Sequence, residues 1–139
     1  MEKDRSQDIR DRAFRLACGV ASVALAIEAT PGRRCIVEQL LRSGTGIGAN
    51  LEEAKAGSSK REFLRYVQIS LREARETLYW LRICLALRLA PVPELRDLAG
   101  EAEQVSRILG AIVVKAKWQM TSRSTAFAFC IFTFALLPV

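Results

Sequence analysis

Four glutamates in the middle of the chain have the side chains from which a carboxylate metal site could be built. Glu52 and Glu53 lie on one predicted helix, and Glu73 and Glu76 lie on the next. Carboxylates at such positions more often pair with nearby cations, as Arg72 could with Glu76 one turn along the same helix. A metal protein is therefore the weaker alternative, and the sequence predicts neither a bound metal nor a cofactor.

The glutamates could instead belong to a buried polar network. If Arg42 and Asn50 face Glu53 or Glu73, the resulting network would fix the register of two helices.

The chain contains no histidine, which removes the commonest acid–base group at neutral pH and the commonest metal ligand. Histidine-dependent triads, Cys–His dyads and di-iron sites are thereby excluded, and we expect no enzymatic activity. The four cysteines contain no Cys-x-x-Cys pair, and we interpret them as reduced, packed thiols of a cytoplasmic protein. They are Cys18, Cys35, Cys84 and Cys130.

Basic residues give the chain a net charge of +6, which favours polyanionic partners. Five arginines of the third predicted helix follow one another in steps of three, four or seven residues, so they share one face, called here the arginine stripe. Such a stripe could contact successive phosphates, whereas the alternative is a solvated face with ion pairs to Glu62, Glu73 and Glu76. The arginine stripe consists of Arg61, Arg65, Arg72, Arg75 and Arg82, and Arg33, Arg34 and Lys60 are additional candidate contacts.

Three glycines fall within Ser43–Asn50, where each would weaken a helix by about 1 kcal/mol relative to alanine. Gly44 and Gly48, one turn apart, predict a close approach by a neighbouring helix. A phosphate-binding loop is disfavoured, because no strand precedes the glycines and no lysine follows them.

Four segments carry apolar residues in alternating steps of three and four, which keeps one helix face inward. The Thr30-Pro31 pair is expected to start the second helix, and a capping box of Ser59 and Glu62 the third. Pro91 is expected to stop the third helix. The predicted helices are about residues 6–29, 31–57, 60–90 and 94–117.

These helices, with their short links, predict an all-α fold, an antiparallel up-and-down four-helix bundle formed by residues 1–117. Residues 118–139 form an apolar C-terminal appendage that packs on the bundle, is buried in an oligomer or stays disordered. Its uncharged part is too short to span a bilayer, so no stable membrane insertion is expected.

Two motifs resemble those of the four-helix-bundle proteins encoded in intervening sequences of bacterial 23S ribosomal RNA genes. One is the segment 39–54, QLLRSGTGIGANLEEA, and the other is the segment 73–81, EARETLYWL. Within them, the resemblance implies structural roles for the residues Arg42, Gly44, Gly48, Asn50, Glu53, Glu73, Glu76, Tyr79 and Trp80. Gly46 departs from the family, which usually has serine there, and residues 117–139 match neither motif.

The resemblance covers about residues 8–116 and implies a homopentamer without catalysis. A related family, the accessory variability determinant proteins, is similar in fold and uses a basic pentamer surface to engage nucleic acid, so the resemblance also suggests RNA or DNA as a partner. The aromatic pair Tyr79-Trp80 and Ile83, lying off the apolar seam, likewise predict an oligomer. The alternative function is a protein-interaction scaffold that binds a protein partner and no nucleic acid.

Overall fold

The computed structural model describes the backbone of residues 2–28 and 30–134 and the side chains of residues 9–28 and 30–121. Within these ranges the chain forms helices and no strand. The helices are α1 (Glu2–Ala26), α2 (Pro31–Ala56), α3 (Lys60–Leu87) and α4 (Val92–Phe134). Each of α1, α2 and α3 lies within a few residues of its predicted bounds, whereas α4 continues well past residue 117.

The four helices form the predicted antiparallel up-and-down bundle. Each helix packs against its neighbours in the chain, and α1 packs against α4 to close the ring. The short links between helices favour this arrangement, because consecutive helices must then run in opposite directions.

Most of the core lies at the apolar positions, three or four residues apart, that the sequence pattern predicts to face inward. The α1 positions are all buried, as are most of those in α2, α3 and α4. The buried set that matches the prediction comprises Ile9, Ala13, Leu16, Val20, Val23, Ile27, Leu40, Gly44, Ile47, Leu51, Ala54, Val67, Leu71, Ala74, Leu81, Leu95, Ala102, Val105 and Leu109.

Small polar side chains of α3 fill core positions that the apolar pattern does not indicate. Ser70 and Thr77 are fully buried, and both hydroxyls donate to backbone carbonyls, Ser70 to Ile47 of α2 at 2.8 Å and Thr77 to Glu73 at 2.8 Å. Because a buried hydroxyl is costly only when it lacks a partner, these residues can occupy the core. The Ser70 bond also joins α3 directly to α2.

The cysteines only partly match their predicted packing. Cys84 is buried in the core, and burial raises the pKa of its thiol. Cys18 and Cys35 are exposed, so the prediction that they are packed is wrong for both. They lie on outward-facing helix positions beside the apolar seam rather than in it. Cys130 lies outside the residues whose side chains are described.

The helix ends follow the predicted signals with two changes. Ser59 Oγ accepts a bond from the Glu62 N–H at 3.1 Å, but the Glu62 carboxylate accepts from Ser58 instead of Ser59. Thr30 occupies the N-cap position of α2, yet its side chain forms no capping bond. Gly57 ends α2 as predicted.

The end of α3 lies three residues before its predicted limit. Arg88 adopts a left-handed conformation with φ 51°. The Arg88 N–H donates to Leu85 O, and the Leu89 N–H donates to Cys84 O, so two terminal carbonyls of α3 are satisfied. The helix is thus stopped by this turn before Pro91 is reached.

The boundary predicted at residue 117 is not a helix end, because α4 continues through it to Phe134. At 43 residues, α4 is much longer than α1, α2 or α3. Trp118 is 70% exposed on this continuation. The prediction for the packing of the appendage lies largely outside the residues whose side chains are described. Within the described part of the chain, no helix is both long and apolar enough to cross a membrane.

Candidate nucleic-acid interface

The arginine stripe lies on the outer face of α3. All five of its arginines are exposed. From Arg61 to Arg82 the stripe extends over about 32 Å, at 1.5 Å per residue. The buried face of α3 fixes the direction of this outer face, so the heptad pattern that builds the core also positions the five guanidinium groups.

None of these five arginines forms an ion pair with a carboxylate among the residues whose side chains are described. The alternative interpretation, a face with ion pairs to the glutamates of α3, thus has no such pair among these side chains. Glu62 accepts bonds from Ser58 rather than pairing with Arg65, and Glu76 pairs with Arg42 of α2 rather than with Arg72. The five guanidinium groups therefore remain exposed to solvent.

Two aromatic side chains accompany the stripe. The Arg65 guanidinium lies 5.8 Å from the centre of the Tyr66 ring, within the range of a cation–π contact. Tyr79 lies between Arg75 and Arg82 in the helical repeat and is 58% exposed. Its ring meets Trp80 edge to face, with centroids 5.2 Å apart, which holds the tyrosine in place without covering it.

Arg42 of α2 contacts two of the three glutamates of α3 and forms one network with them. Its guanidinium donates to Glu76, lies 3.6 Å from Glu73 Oε2 and also donates to Gln39 Oε1 at 2.9 Å. The Trp80 indole N–H donates to the same Glu76 oxygen at 3.3 Å. The predicted network between α2 and α3 thus forms around Arg42, although part of it is exposed to solvent.

Asn50 and Glu53 form no hydrogen bond or ion pair with Arg42 or Glu73 among the side chains described. The Asn50 amide donates to Gly46 O on its own helix, at 2.8 Å. Glu53 is exposed on the outer face of α2. Both residues lie two or more turns from Arg42 along α2, which explains why one network cannot include all of them.

Glu73 is the least satisfied member of the network. Its Oε2 atom is buried and accepts no hydrogen bond from the described residues, and Arg42 approaches it only as an ion-pair partner. Burial raises the pKa of Glu73, Glu76 adds to this increase, and Arg42 and Arg72 oppose it. The carboxylate therefore carries its charge at a cost in the folded protein.

The three glycines within Ser43–Asn50 have three different surroundings, all within an unbroken helix. A Cβ at Gly44 would lie 2.6 Å from Val20 Cγ1 of α1, so this glycine is needed for close packing, as predicted. A Cβ at Gly46 would lie 3.2 Å from Glu73 Oε2, so Gly46 makes room for that carboxylate. A Cβ at Gly48 would lie 4.0 Å from the backbone carbonyl carbon of Ala13 in α1, an ordinary contact distance, so α1 approaches here too but would leave room for alanine.

The four glutamates considered as metal ligands are used separately. Glu52 lies 3.8 Å from Arg10 of α1, Glu73 and Glu76 face Arg42, and Glu53 points away from them. Among the side chains described, no group of three or more acidic or cysteine residues is arranged to hold a metal ion.

One ion pair that the sequence does not indicate joins α1 to α4. Arg12 donates two hydrogen bonds to Glu101, at 2.7 and 2.9 Å. These bonds hold the pKa of Glu101 below its ordinary value. No local signal could have revealed the pair, since its members are 89 residues apart in the chain.

The additional basic candidates have mixed surroundings. Arg33 lies 3.5 Å from Glu28, so its charge is partly balanced. Arg34 and Lys60 are exposed. These residues lie near the starts of α2 and α3, away from the centre of the arginine stripe.

Comparison with known proteins places this architecture in context. Residues 5–111 match the family model of the 23S rRNA-intervening sequence protein. The chain is similar to a crystal structure from Bacteroides thetaiotaomicron, a protein of unknown function from the S23 ribosomal protein family. The TM-score is 0.70 at 24% identity over 78% of this chain and 96% of that chain, a similarity that concerns the fold alone. No curated protein sequence matches the chain significantly.

Proposed function

The chain belongs to the 23S rRNA-intervening sequence protein family, and we propose that it is a non-enzymatic homo-oligomer that binds structured RNA or DNA through the arginine stripe. The observation that carries this proposal is that, among the side chains described, no carboxylate forms an ion pair with an arginine of the stripe. A guanidinium without a carboxylate partner can exchange its water for a phosphate oxygen at little cost, whereas a paired one must first give up its partner.

The exposed tyrosine in the stripe supports the same ligand. Tyr79 stands between two arginines, and its ring is open to solvent on one side. Aromatic rings beside basic side chains stack on unpaired bases while the cations contact the backbone. Structured RNA with loops or bulges offers both features at once.

Oligomerisation is supported by exposed apolar side chains that the monomer leaves uncovered. On α1, Phe14 is 69% exposed, and Leu25, about three turns further along the same face, is 78% exposed. Large apolar side chains grouped on a surface are typical of an interface. We take a pentamer as the expected state, by the resemblance in the sequence motifs.

A ring of copies would raise the affinity for a polyanion without any new type of contact. One bundle with a few phosphate contacts binds weakly at physiological salt, while several linked copies engage one molecule together. The same exposed apolar surfaces favour the second candidate, a protein-interaction scaffold. Either role fits a cytoplasmic protein with reduced cysteines and requires no cofactor.

The nucleic-acid proposal is tested by the salt dependence of binding to a structured RNA. The double variant Arg65→Gln/Arg72→Gln should make the negative slope of log affinity against log salt shallower by roughly one to two units per protomer engaged. For each phosphate contact that is lost, binding releases about one counterion fewer. The matched control, Arg15→Gln/Arg107→Gln, removes the same charge from exposed sites elsewhere. Unchanged affinity and slope in the stripe variant would favour the scaffold role.

The oligomer and the absence of catalysis have their own tests. Light scattering should give a mass several times 15.5 kDa, and a monomer at micromolar concentration would contradict the oligomer. A stoichiometric metal in the purified protein, or a turnover lost on changing Glu53 or Glu73, would contradict the non-enzymatic role.

A further inference from the structure

An open depression of about 540 Å³ lies where α3 ends and α4 begins. Its apolar surface comes from Leu85, Ala86 and Val92, and its charged surface comes from Arg88 and Arg96. The size falls within the range of about 300–1,000 Å³ that is usual for sites of small organic ligands. No carboxylate lines it.

The two arginines of the depression are exposed, and neither forms an ion pair with a carboxylate in the described part of the chain. Arg88 is also the one non-glycine residue with positive φ among the described residues. That conformation costs an ordinary side chain about 1 kcal/mol or more, and glycine would adopt it freely. The chain therefore places a guanidinium at a position where glycine would make a more stable helix end.

The depression is continuous with the arginine stripe. Ala86 lies four residues after Arg82, one turn further along the same face of α3. A nucleic-acid strand whose phosphates follow the stripe would thus arrive at the depression next.

We propose that this depression binds a single unpaired nucleotide, with the phosphate between Arg88 and Arg96 and the base against Leu85, Ala86 and Val92. Two unpaired guanidinium groups suit a phosphate, and the adjoining aliphatic surface suits the flat apolar face of a base. As a part of a longer ligand this site rests on the proposed function, but a free mononucleotide tests it directly.

The experiment is a titration of methyl-labelled full-length protein with adenosine monophosphate, followed by NMR. All three apolar residues of the depression carry methyl groups, and methyl signals remain observable in an oligomer. The methyl signals of Leu85, Ala86 and Val92 should shift in a saturable manner at millimolar ligand. Ribose phosphate and inorganic phosphate, which lack the base, should bind at least roughly tenfold more weakly, because the aliphatic contacts are lost.

The variant Arg88→Gly/Arg96→Gln should weaken adenosine monophosphate binding at least roughly tenfold, since two charge-assisted contacts are removed. Glycine fits the left-handed conformation at position 88, so this variant should fold at least as well as the wild type. The matched control is Arg15→Gln/Arg107→Gln, which removes two arginines from exposed positions outside the depression and should leave binding unchanged.

Three results would overturn the proposal. They are the absence of shifts at these methyl groups, equal binding of inorganic phosphate and adenosine monophosphate, and unchanged binding by Arg88→Gly/Arg96→Gln. The stripe variant Arg65→Gln/Arg72→Gln separates this proposal from the proposed function. It should bind the mononucleotide normally while losing affinity for structured RNA, so each proposal can fail without the other.

Discussion

Replacing Gly44, Gly46 and Gly48 one at a time by alanine tests how the bundle is packed. In an open helix position this change should stabilise the protein by up to about 1 kcal/mol. At Gly48, where a Cβ would meet nothing nearer than 4.0 Å, that gain should be observed. At Gly44, the new methyl group would lie 2.6 Å from Val20 Cγ1 and 3.1 Å from Val20 Cβ.

Val20 cannot easily move away, because it is fully buried and its branched side chain has few allowed rotamers. Overpacking of this kind costs about 1–3 kcal/mol, which outweighs the helix gain and leaves Gly44→Ala less stable than the wild type by up to about 2 kcal/mol. Gly46→Ala should fall between these two variants, since the Glu73 carboxylate in its way ends a flexible side chain.

The measurement is thermal unfolding followed by far-UV circular dichroism at one fixed protein concentration, because oligomerisation would make the midpoint depend on concentration. The Gly44 and Gly48 variants differ by the overpacking cost, so for a chain of this size their Tm values should differ by roughly 4–12 °C. If Gly44→Ala were stabilised as much as Gly48→Ala, the close approach of α1 to α2 would be refuted.

Three further changes have signs fixed by the structure, and urea denaturation measures each. Glu73→Gln should stabilise the protein by up to about 1 kcal/mol at neutral pH, because burial disfavours the charged carboxylate and raises its pKa. The stability gain should shrink as the pH falls towards 4.5, since the wild-type carboxylate is then increasingly protonated. Glu101→Gln should destabilise the protein by about 1 kcal/mol, because it breaks the hydrogen bonds from Arg12. Since the pKa of Glu101 is lowered in the folded protein, the stability difference between variant and wild type should persist at pH 4.5 and disappear only in stronger acid. Ser59→Ala should cost about 1 kcal/mol by removing the α3 cap, and it should do so without any dependence on pH.

The sequence was sufficient to predict the bundle because burial in helices follows a simple period. The spacing of Leu16, Val20 and Val23 in α1 is enough to select the inward face, whatever lies opposite. It could not predict that Ser70 and Thr77 enter the core, because their cost depends on a carbonyl that only the folded backbone supplies. Periodicity thus indicates which face is buried but not which polar groups are satisfied there.

In the candidate site, too, the sequence predicts which helix face a residue occupies but not which residue of another helix it contacts. Arg61 and Arg82 could be placed on one face from their spacing alone, and both are exposed there. Their ion pairing could not be predicted in the same way, because the sequence offers only neighbours on the same helix as partners. The partner that Glu76 takes, Arg42, is 34 residues away and belongs to another helix.

Arg42 therefore connects the stability of the bundle to the charge of its outer surface. Glu76 and Glu73 are the acidic residues of α3 closest in sequence to Arg72 and Arg75, and without Arg42 they would be free to turn towards them. By holding both carboxylates against α2, Arg42 keeps them from forming ion pairs with the stripe, although Arg72 still attracts Glu73 at longer range. The cost of this arrangement falls on Glu73, whose buried Oε2 has no hydrogen-bond donor among the described residues. The position of Glu73 between α2 and α3 thus accompanies an arginine surface that remains exposed to solvent.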